Sequence, residues 1–292
     1  MVQPGEEAGL KEKIVAIFVW IAPAVTRELI TSLPNLRVVG NCAVGYDHVD
    51  LAACAERGVR VGYTPNVLNK TTADMAWALL LASGRKVVEG DSISKNPSTS
   101  TFDSNWMGQQ VSGTTLGIVG MGRIGYEIAK RAVGFEMKVL YHNRHRKSAE
   151  EEERVGATYV PTLAGLLGES DYVVLAAPAT GDTHHMMSRE QFAAMKPTGV
   201  FVNISRGTLV DQDALAEALR GGVISAAGLD VTDPEPLPRD HTLLSLPNLT
   251  LTPHTGSATL PTRQAMVQMT VDNIKAVLQG QPMVNEVALP SL

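Results

Sequence analysis

Three short stretches, far apart in the chain, each offer one candidate side chain for acid–base or anion chemistry: Asn203-Ile204-Ser205-Arg206-Gly207, Asp230-Val231-Thr232-Asp233-Pro234-Glu235-Pro236, and Thr252-Pro253-His254-Thr255-Gly256-Ser257. A guanidinium pairs with a carboxylate through two parallel hydrogen bonds that lysine cannot imitate, so Arg206 is suited to clamp an acidic substrate. An imidazole titrates near neutrality, so His254 is suited to pass a proton. A carboxylate such as Glu235 favours the imidazolium form. Clamp, proton donor and tuning acid are the set that reduction of a 2-oxoacid needs. Each residue also has a plainer reading: a surface ion pair for Arg206, a capping or core histidine for His254, a solvent-facing acid in a proline-rich loop for Glu235. A fourth stretch, Asn41-Cys42-Ala43-Val44-Gly45-Tyr46-Asp47-His48, follows an apolar run, and the backbone N–H groups at Val44 and Gly45 offer a place for a substrate carboxylate. By itself it reads equally well as a turn.

Gly120-Met121-Gly122-Arg123-Ile124-Gly125 follows a β-rich apolar run and opens a helical pattern, the context that a GxGxxG motif requires. Gly120 permits the tight turn, Gly122 lets the backbone approach a pyrophosphate, and Gly125 lets helix and strand pack closely. The anion then sits at the helix N-terminus, around Arg123 and Ile124. The end of the next strand selects the dinucleotide, because an acidic side chain there binds the ribose hydroxyls of NAD. Here it reads Tyr141-His142-Asn143-Arg144-His145-Arg146-Lys147, a neutral asparagine followed by a cationic cluster. Asn143, Arg144 and Arg146 are the expected ligands of a 2′-phosphate, which predicts NADPH over NADH with NADH still usable. The plainer alternative is a solvated basic loop ahead of the acidic run 150–153.

These residues need elements that hold them at strand ends. Short β-rich apolar runs alternate with helical stretches along the whole chain, which is α/β patterning. Runs 14–20, 36–41 and 59–62 read as buried parallel strands, with helices at 22–32 and 51–56 between them. Segment 71–88 reads as an apolar bridging helix, and the polar stretch 92–105 has no core pattern. A second series then predicts strands at 116–120, 138–141, 172–176, 200–204, 226–230 and 249–252. Helices are expected at 124–132, 149–155, 163–167, 189–195 and 212–220. This is the progression of a dinucleotide-binding sheet, and it puts all three chemical stretches at strand ends or in the loops that follow. A helix over 261–278 closes the pattern at Gly280.

With 292 residues, 44% of them apolar, the chain can bury two cores. A net charge of −5 leaves no basic footprint for nucleic acid or a membrane surface. Cys42 and Cys54 match neither a zinc site nor a disulfide framework, and no metal is expected; the His184-His185 pair reads as surface. The acidic leader 1–9 lacks the features of a signal peptide and the apolar run 14–25 is too short to span a bilayer, so a cytoplasmic protein is expected. Segment 71–88 is more apolar than a helix wetted on one side requires, which points to a homodimer.

In their order along the chain, these motifs resemble the D-isomer-specific 2-hydroxyacid dehydrogenases over essentially the whole sequence. The resemblance implies Arg206, Glu235 and His254 as the catalytic set, Val44, Gly45, Arg206 and Ser257 as substrate-binding residues, and Asp230 beside the nicotinamide. It implies an α/β fold of two domains with parallel sheets and the active site in the cleft between them. The first is an incomplete flavodoxin-like substrate domain, 1–67 completed by 260–292; the second is a Rossmann NAD(P)-binding domain, 68–259. Trp106, in the bridge 102–113, and Asn143-Arg144 look most like the glyoxylate/hydroxypyruvate reductase branch. That branch implies NADPH-preferring reduction of glyoxylate or hydroxypyruvate to 2-hydroxyacids, of D configuration where chiral. It also implies a tryptophan that reaches the partner subunit's active site; a loop anchor is the other reading of Trp106. One departure stands out: the resemblance begins at the second strand of the family's substrate domain, so an initial strand and helix are expected to be missing and a sheet edge to be bared. A 2-ketogluconate-type sugar-acid reductase and a catalytically silent dinucleotide-sensing protein stay open as alternatives.

Overall fold

The computed structural model describes residues 9–20, 23–101 and 103–291. Most of the acidic leader, Ala22 at the head of the first expected helix, and Phe102 at the start of the bridge lie outside the described residues. The chain divides into two compact units, Met1–Leu68 with Ser257–Leu292, and Asn69–Gly256.

In the first unit three parallel strands, β1 (Ala16–Val19), β2 (Val38–Asn41) and β3 (Arg60–Gly62), lie side by side in that order. Helix α1 (Arg27–Ser32) starts where the Thr26 hydroxyl accepts the Leu29 N–H, and α2 (Leu51–Arg57) where Asp50 accepts the Ala53 N–H. Each cap satisfies an amide that a helix start leaves unpaired. Ile30, Val39, Cys54 and Val61 build the core on one face of the sheet. Val38 meets Val277 of the closing helix, Leu260–Leu278, on the other. The central strand is therefore buried at every position, which is why it reads as a continuous apolar run rather than as an alternation.

The second unit is built on a seven-stranded, wholly parallel sheet. Its strands are β4 (Thr115–Val119), β5 (Lys138–His142), β6 (Ala157–Tyr159), β7 (Tyr172–Leu175), β8 (Val200–Asn203), β9 (Ala226–Leu229) and β10 (Leu249–Leu251), in the order β10-β9-β8-β7-β4-β5-β6. Chain direction reverses its progress across the sheet between β4 and β7, the place where doubly wound sheets bind ligands beyond the strands' carboxyl ends. Alternate residues feed two cores: Ile118, Val139, Val174 and Val202 on one face, Val119, Leu140, Val173 and Phe201 on the other. The helices are α3 (Asn69–Gly84), α4 (Val87–Lys95), α5 (Arg123–Ala132), α6 (Ala149–Glu153), α7 (Leu163–Glu169), α8 (Arg189–Ala193) and α9 (Gln212–Arg220).

Two expectations need correcting. Strand β6 is absent from the sequence pattern because Ala-Thr-Tyr is too short and too polar to register as an apolar run; it sits at the sheet's edge, where one flank has no strand neighbour. Segment 71–88 is not one helix: α3 ends at Gly84, and Lys86 takes a left-handed conformation, φ 54°, before α4 begins. The apolar surplus of α3 also has an internal use. Ala73, Ala76, Trp77, Leu79 and Leu80 pack into the unit's own core with Ile118 and Val202, so that surplus is no sign of a partner chain. No helix among the described residues is long and apolar enough to cross a membrane.

Candidate active site

Strands β9 and β10 are neighbours, so the loops that follow them emerge side by side. Asp230, the residue after β9, is 2% exposed. Its carboxylate accepts hydrogen bonds from Thr252 Oγ1 at 2.6 Å, Thr255 N at 2.8 Å and Gly256 N at 2.7 Å, and its carbonyl accepts the His254 N–H at 2.8 Å. Turn 252–256 is thus wrapped around one buried acid, which holds His254 at φ 52°. Non-glycine residues occupy that region only where their surroundings enforce it. In this pose His254 Nδ1 lies 2.8 Å from Glu235 Oε2, while Glu235 Oε1 accepts the Thr232 N–H at 3.0 Å. Burial pushes the Glu235 carboxyl up, but the hydrogen bond and charge of His254, the Thr232 N–H and the Arg206 charge outweigh it and hold the group below the usual carboxylate range.

Arg206 follows β8. Asn203 braces the backbone there, donating to the Arg206 carbonyl and accepting the Ser205 N–H, both at 2.9 Å. Gly207 presses against the next loop: a Cβ at that position would lie 2.0 Å from the Thr232 carbonyl carbon. Only glycine permits this approach, and it places Arg206 beside the Thr232–Glu235 segment. The three side chains singled out by type therefore come together at the carboxyl ends of β8, β9 and β10. The His254 and Glu235 side chains are 26% and 32% exposed, open to a small molecule and partly shielded from water. For Asp230, expected beside the nicotinamide, the structure shows a task that the sequence hides, since both its carboxylate oxygens hold the His254 turn.

The glycine motif divides its labour as its spacing suggests. Gly120 sits at φ 97°, and a Cβ there would also strike Ala177 N at 2.6 Å; at Gly125 one would lie 2.4 Å from the Gly120 carbonyl oxygen. Around Gly122 nothing lies within 4 Å of the Cβ position, and α5 begins with no side-chain cap. Open space before uncapped N–H groups, at the head of a ten-residue helix beside the sheet's reversal, suits a pyrophosphate. Arg123 is exposed and Ile124 half-buried at this helix start. The residues present thus fit a nicotinamide dinucleotide.

Beyond β5, Asn143 Oδ1 accepts the Met121 N–H at 2.6 Å and ties the strand end to the glycine loop. Arg144 is exposed and makes no side-chain hydrogen bond or ion pair among the described residues. Arg146 is engaged: its Nε and Nη2 donate to Glu152 at 2.9 and 2.8 Å. Glu152, which in the sequence is one acid of the run 150–153, is only 8% exposed. The signal that could have revealed it is the Ser148–Glu151 capping box, which starts α6 and so sets which of four consecutive glutamates turns inward.

In the first unit, buried Asn41 donates from Nδ2 to the Gly45 carbonyl at 2.9 Å, and the Val44 and Gly45 N–H groups donate no hydrogen bond among the described residues. Ser257 is half-buried in the same unit. Trp106, in the second, lies on its own chain's α4: its indole N–H donates to Glu89 Oε1 at 2.8 Å, and Lys86 Nζ stands 5.5 Å from the ring centroid.

Comparison with known proteins agrees with this reading of the fold. The family model of the D-isomer specific 2-hydroxyacid dehydrogenase NAD binding domain matches residues 77–256. The chain is 44% identical over 271 residues to a glyoxylate reductase of Pyrococcus furiosus, covering 91% of this chain and 80% of that protein. It is 47% identical over 259 residues to a glyoxylate/hydroxypyruvate reductase B of Pectobacterium atrosepticum, covering 88% and 80%. Among solved structures, an NADPH-dependent glyoxylate/hydroxypyruvate reductase from Sinorhizobium meliloti, in complex with NADP and malonate, matches with a TM-score of 0.87 at 35% identity, over 96% of this chain and 87% of that one. The chain therefore belongs to the D-isomer specific 2-hydroxyacid dehydrogenase family, in its glyoxylate/hydroxypyruvate reductase branch, and is an NAD(P)-dependent oxidoreductase.

Proposed function

We propose that this protein reduces small 2-oxoacids, glyoxylate and hydroxypyruvate foremost, preferring NADPH to NADH and yielding D-configured 2-hydroxyacids where the product is chiral. The observation that carries the reading is the 2.8 Å contact between His254 and Glu235, with Arg206 beside it in a unit that also offers an open glycine cradle. A nicotinamide dinucleotide held at residues 120–125 supplies the hydride. Arg206 pairs with the substrate carboxylate and draws electron density from the adjacent carbonyl. His254, whose Nδ1 faces Glu235, keeps Nε2 for the proton that the carbonyl oxygen takes up. Glu235 fixes the ring's orientation and balances the charge of its proton-bearing form. The amides of Val44 and Gly45, which donate no hydrogen bond among the described residues, and the Ser257 hydroxyl suit carboxylate binding, and Asp230 is assigned to the nicotinamide end.

The NADPH preference rests on the lack of an acidic residue at the end of β5 and on exposed Arg144 just beyond it; the relative from Sinorhizobium meliloti, which binds NADP, supports it. We also propose a cytoplasmic homodimer. Val87 and Val88, each 55% exposed, and Met107, 70% exposed, leave apolar surface on the second unit. Sedimentation at micromolar concentration tests this, and a stable monomer contradicts it.

Initial rates with NADPH and NADH against glyoxylate, hydroxypyruvate and 2-ketogluconate, with chiral analysis of the product, test the activity. Higher kcat/KM for glyoxylate or hydroxypyruvate with NADPH upholds the reading. Faster turnover of 2-ketogluconate replaces the substrate, and cofactor binding without turnover points to a sensing protein.

A further inference from the structure

The loop after β5 is held by a cluster that the chemistry does not use. Glu152 accepts hydrogen bonds from the Tyr141 hydroxyl at 2.5 Å and from two nitrogens of Arg146 at 2.9 and 2.8 Å. The Tyr141 oxygen accepts the Lys147 N–H at 2.8 Å, and the Tyr159 hydroxyl donates to the Asn143 carbonyl at 3.2 Å. The Arg146 guanidinium also lies 5.9 Å from the centroid of the Tyr159 ring. Both ends of the loop and Arg146 within it are thus tied to one buried carboxylate and two tyrosines.

Glu152's side chain is 10% exposed while that of Arg146 is 64% exposed, so removing the guanidinium leaves a largely shielded carboxylate short of its cation at some cost in stability. Moving Arg146 onto a phosphate would leave Glu152 with Tyr141 as its remaining side-chain partner among the described residues, whereas Arg144, two residues earlier, can reach an anion without breaking a side-chain hydrogen bond or ion pair. We propose that Arg146 is a positioning residue and not a phosphate ligand: with Glu152 and Tyr141 it forms a latch that shapes the loop so that Arg144 meets the 2′-phosphate of NADPH. This rests on the NADPH reading above. The charge states agree with it. Arg146, with help from Tyr141, holds the Glu152 carboxyl down at about 2, so the latch is ionised at neutral pH. Burial, with the hydrogen bond to Glu152, pushes the Tyr141 hydroxyl up to about 12, so it keeps the proton it donates.

The rival arrangement, in which Glu152 competes with the phosphate for Arg146, predicts the opposite sign. For a latch, Glu152→Gln lowers the NADPH-to-NADH ratio of kcat/KM by about threefold to tenfold, the worth of one or two hydrogen bonds. Arg146→Met does the same, and the double variant is no worse than the worse single, because the two residues serve one purpose. A ratio that rises in Glu152→Gln, a double variant that is fully additive, or equal losses with both cofactors overturns the proposal. Tyr141→Phe, which keeps the ring in the core, is the second variant should Glu152→Gln fail to fold, with the same expected drop and the same contrary results. A wild-type enzyme without NADPH preference defeats the underlying reading instead. Amide exchange at 143–147 in the cofactor-free protein then decides the latch: faster exchange in Glu152→Gln and Arg146→Met upholds it, and exchange as slow as in the wild type overturns it.

Discussion

The turn that carries His254 and the loop that follows β5 are both organised around a buried carboxylate, Asp230 in the first and Glu152 in the second, but the two acids grip different things. Asp230 holds the backbone N–H groups of Thr255 and Gly256 along with the hydroxyls of Thr252 and Thr255. Glu152 holds the side chains of Tyr141 and Arg146. Backbone donors neither titrate nor change with the residue that bears them, so the position of His254, the proposed proton donor, depends largely on one acid and on chain geometry. The cofactor loop depends on three side chains and can be reshaped by replacing any of them. The turn proposed to deliver the proton is thereby held mainly through backbone, and the loop proposed to select the dinucleotide mainly through side chains.

The sharpest way to break this comparison is Asp230→Asn. The variant removes a charge that accepts several hydrogen bonds and can turn an amide N–H toward the Gly256 N–H. Bonds to a charged acceptor are worth about 1.5–3 kcal/mol each, so kcat should fall by about 10²-fold or more as His254 loses its pose. Steady-state rates and thermal unfolding measure both consequences. Turnover close to that of the wild type would show that Asp230 does not position the turn.

Why the cofactor loop's acid is harder to read than the catalytic set follows from the residues themselves. Arg206 and His254 are legible because each is the one side chain of its chemistry in a stretch at a strand end, and buried parallel strands read as apolar runs; Glu235 shares its stretch with Asp230 and Asp233, and the family resemblance singles it out. Asp230's task is illegible because the groups it binds are backbone amides, which carry no residue signature. Among Glu150, Glu151, Glu152 and Glu153 nothing distinguishes the inward one until Ser148 caps the helix and sets its phase. Strand β6 escapes for a similar reason: its three residues gain strand geometry from pairing with β5, which lies outside any local window.

A smaller effect sharpens the comparison through acid stability. Glu152's carboxyl is lowered from an ordinary value of 4.5 to about 2. Its contribution to folding is therefore fully present above the ordinary value and is lost as pH falls from there through the lowered one. Urea unfolding midpoints of the wild type and Glu152→Gln should differ at neutral pH and converge as pH falls from about 4.5 toward about 2. Curves that stay parallel across that window would show that the latch contributes no ionised pair to stability.

If Glu235 and His254 act as one proton-delivering unit, steady-state reduction of glyoxylate by Glu235→Gln, His254→Ala and the double variant tests it most directly. The Glu235 carboxylate, held below its usual range partly by His254, lies 2.8 Å from the ring's Nδ1 and fixes its orientation. Glutamine keeps the shape and removes the charge. In each single variant kcat is predicted to fall by about 10²-fold or more, with no further loss in the double variant and with the circular dichroism spectra retained. Fully additive losses in folded variants would contradict the pairing of these two residues in the reaction.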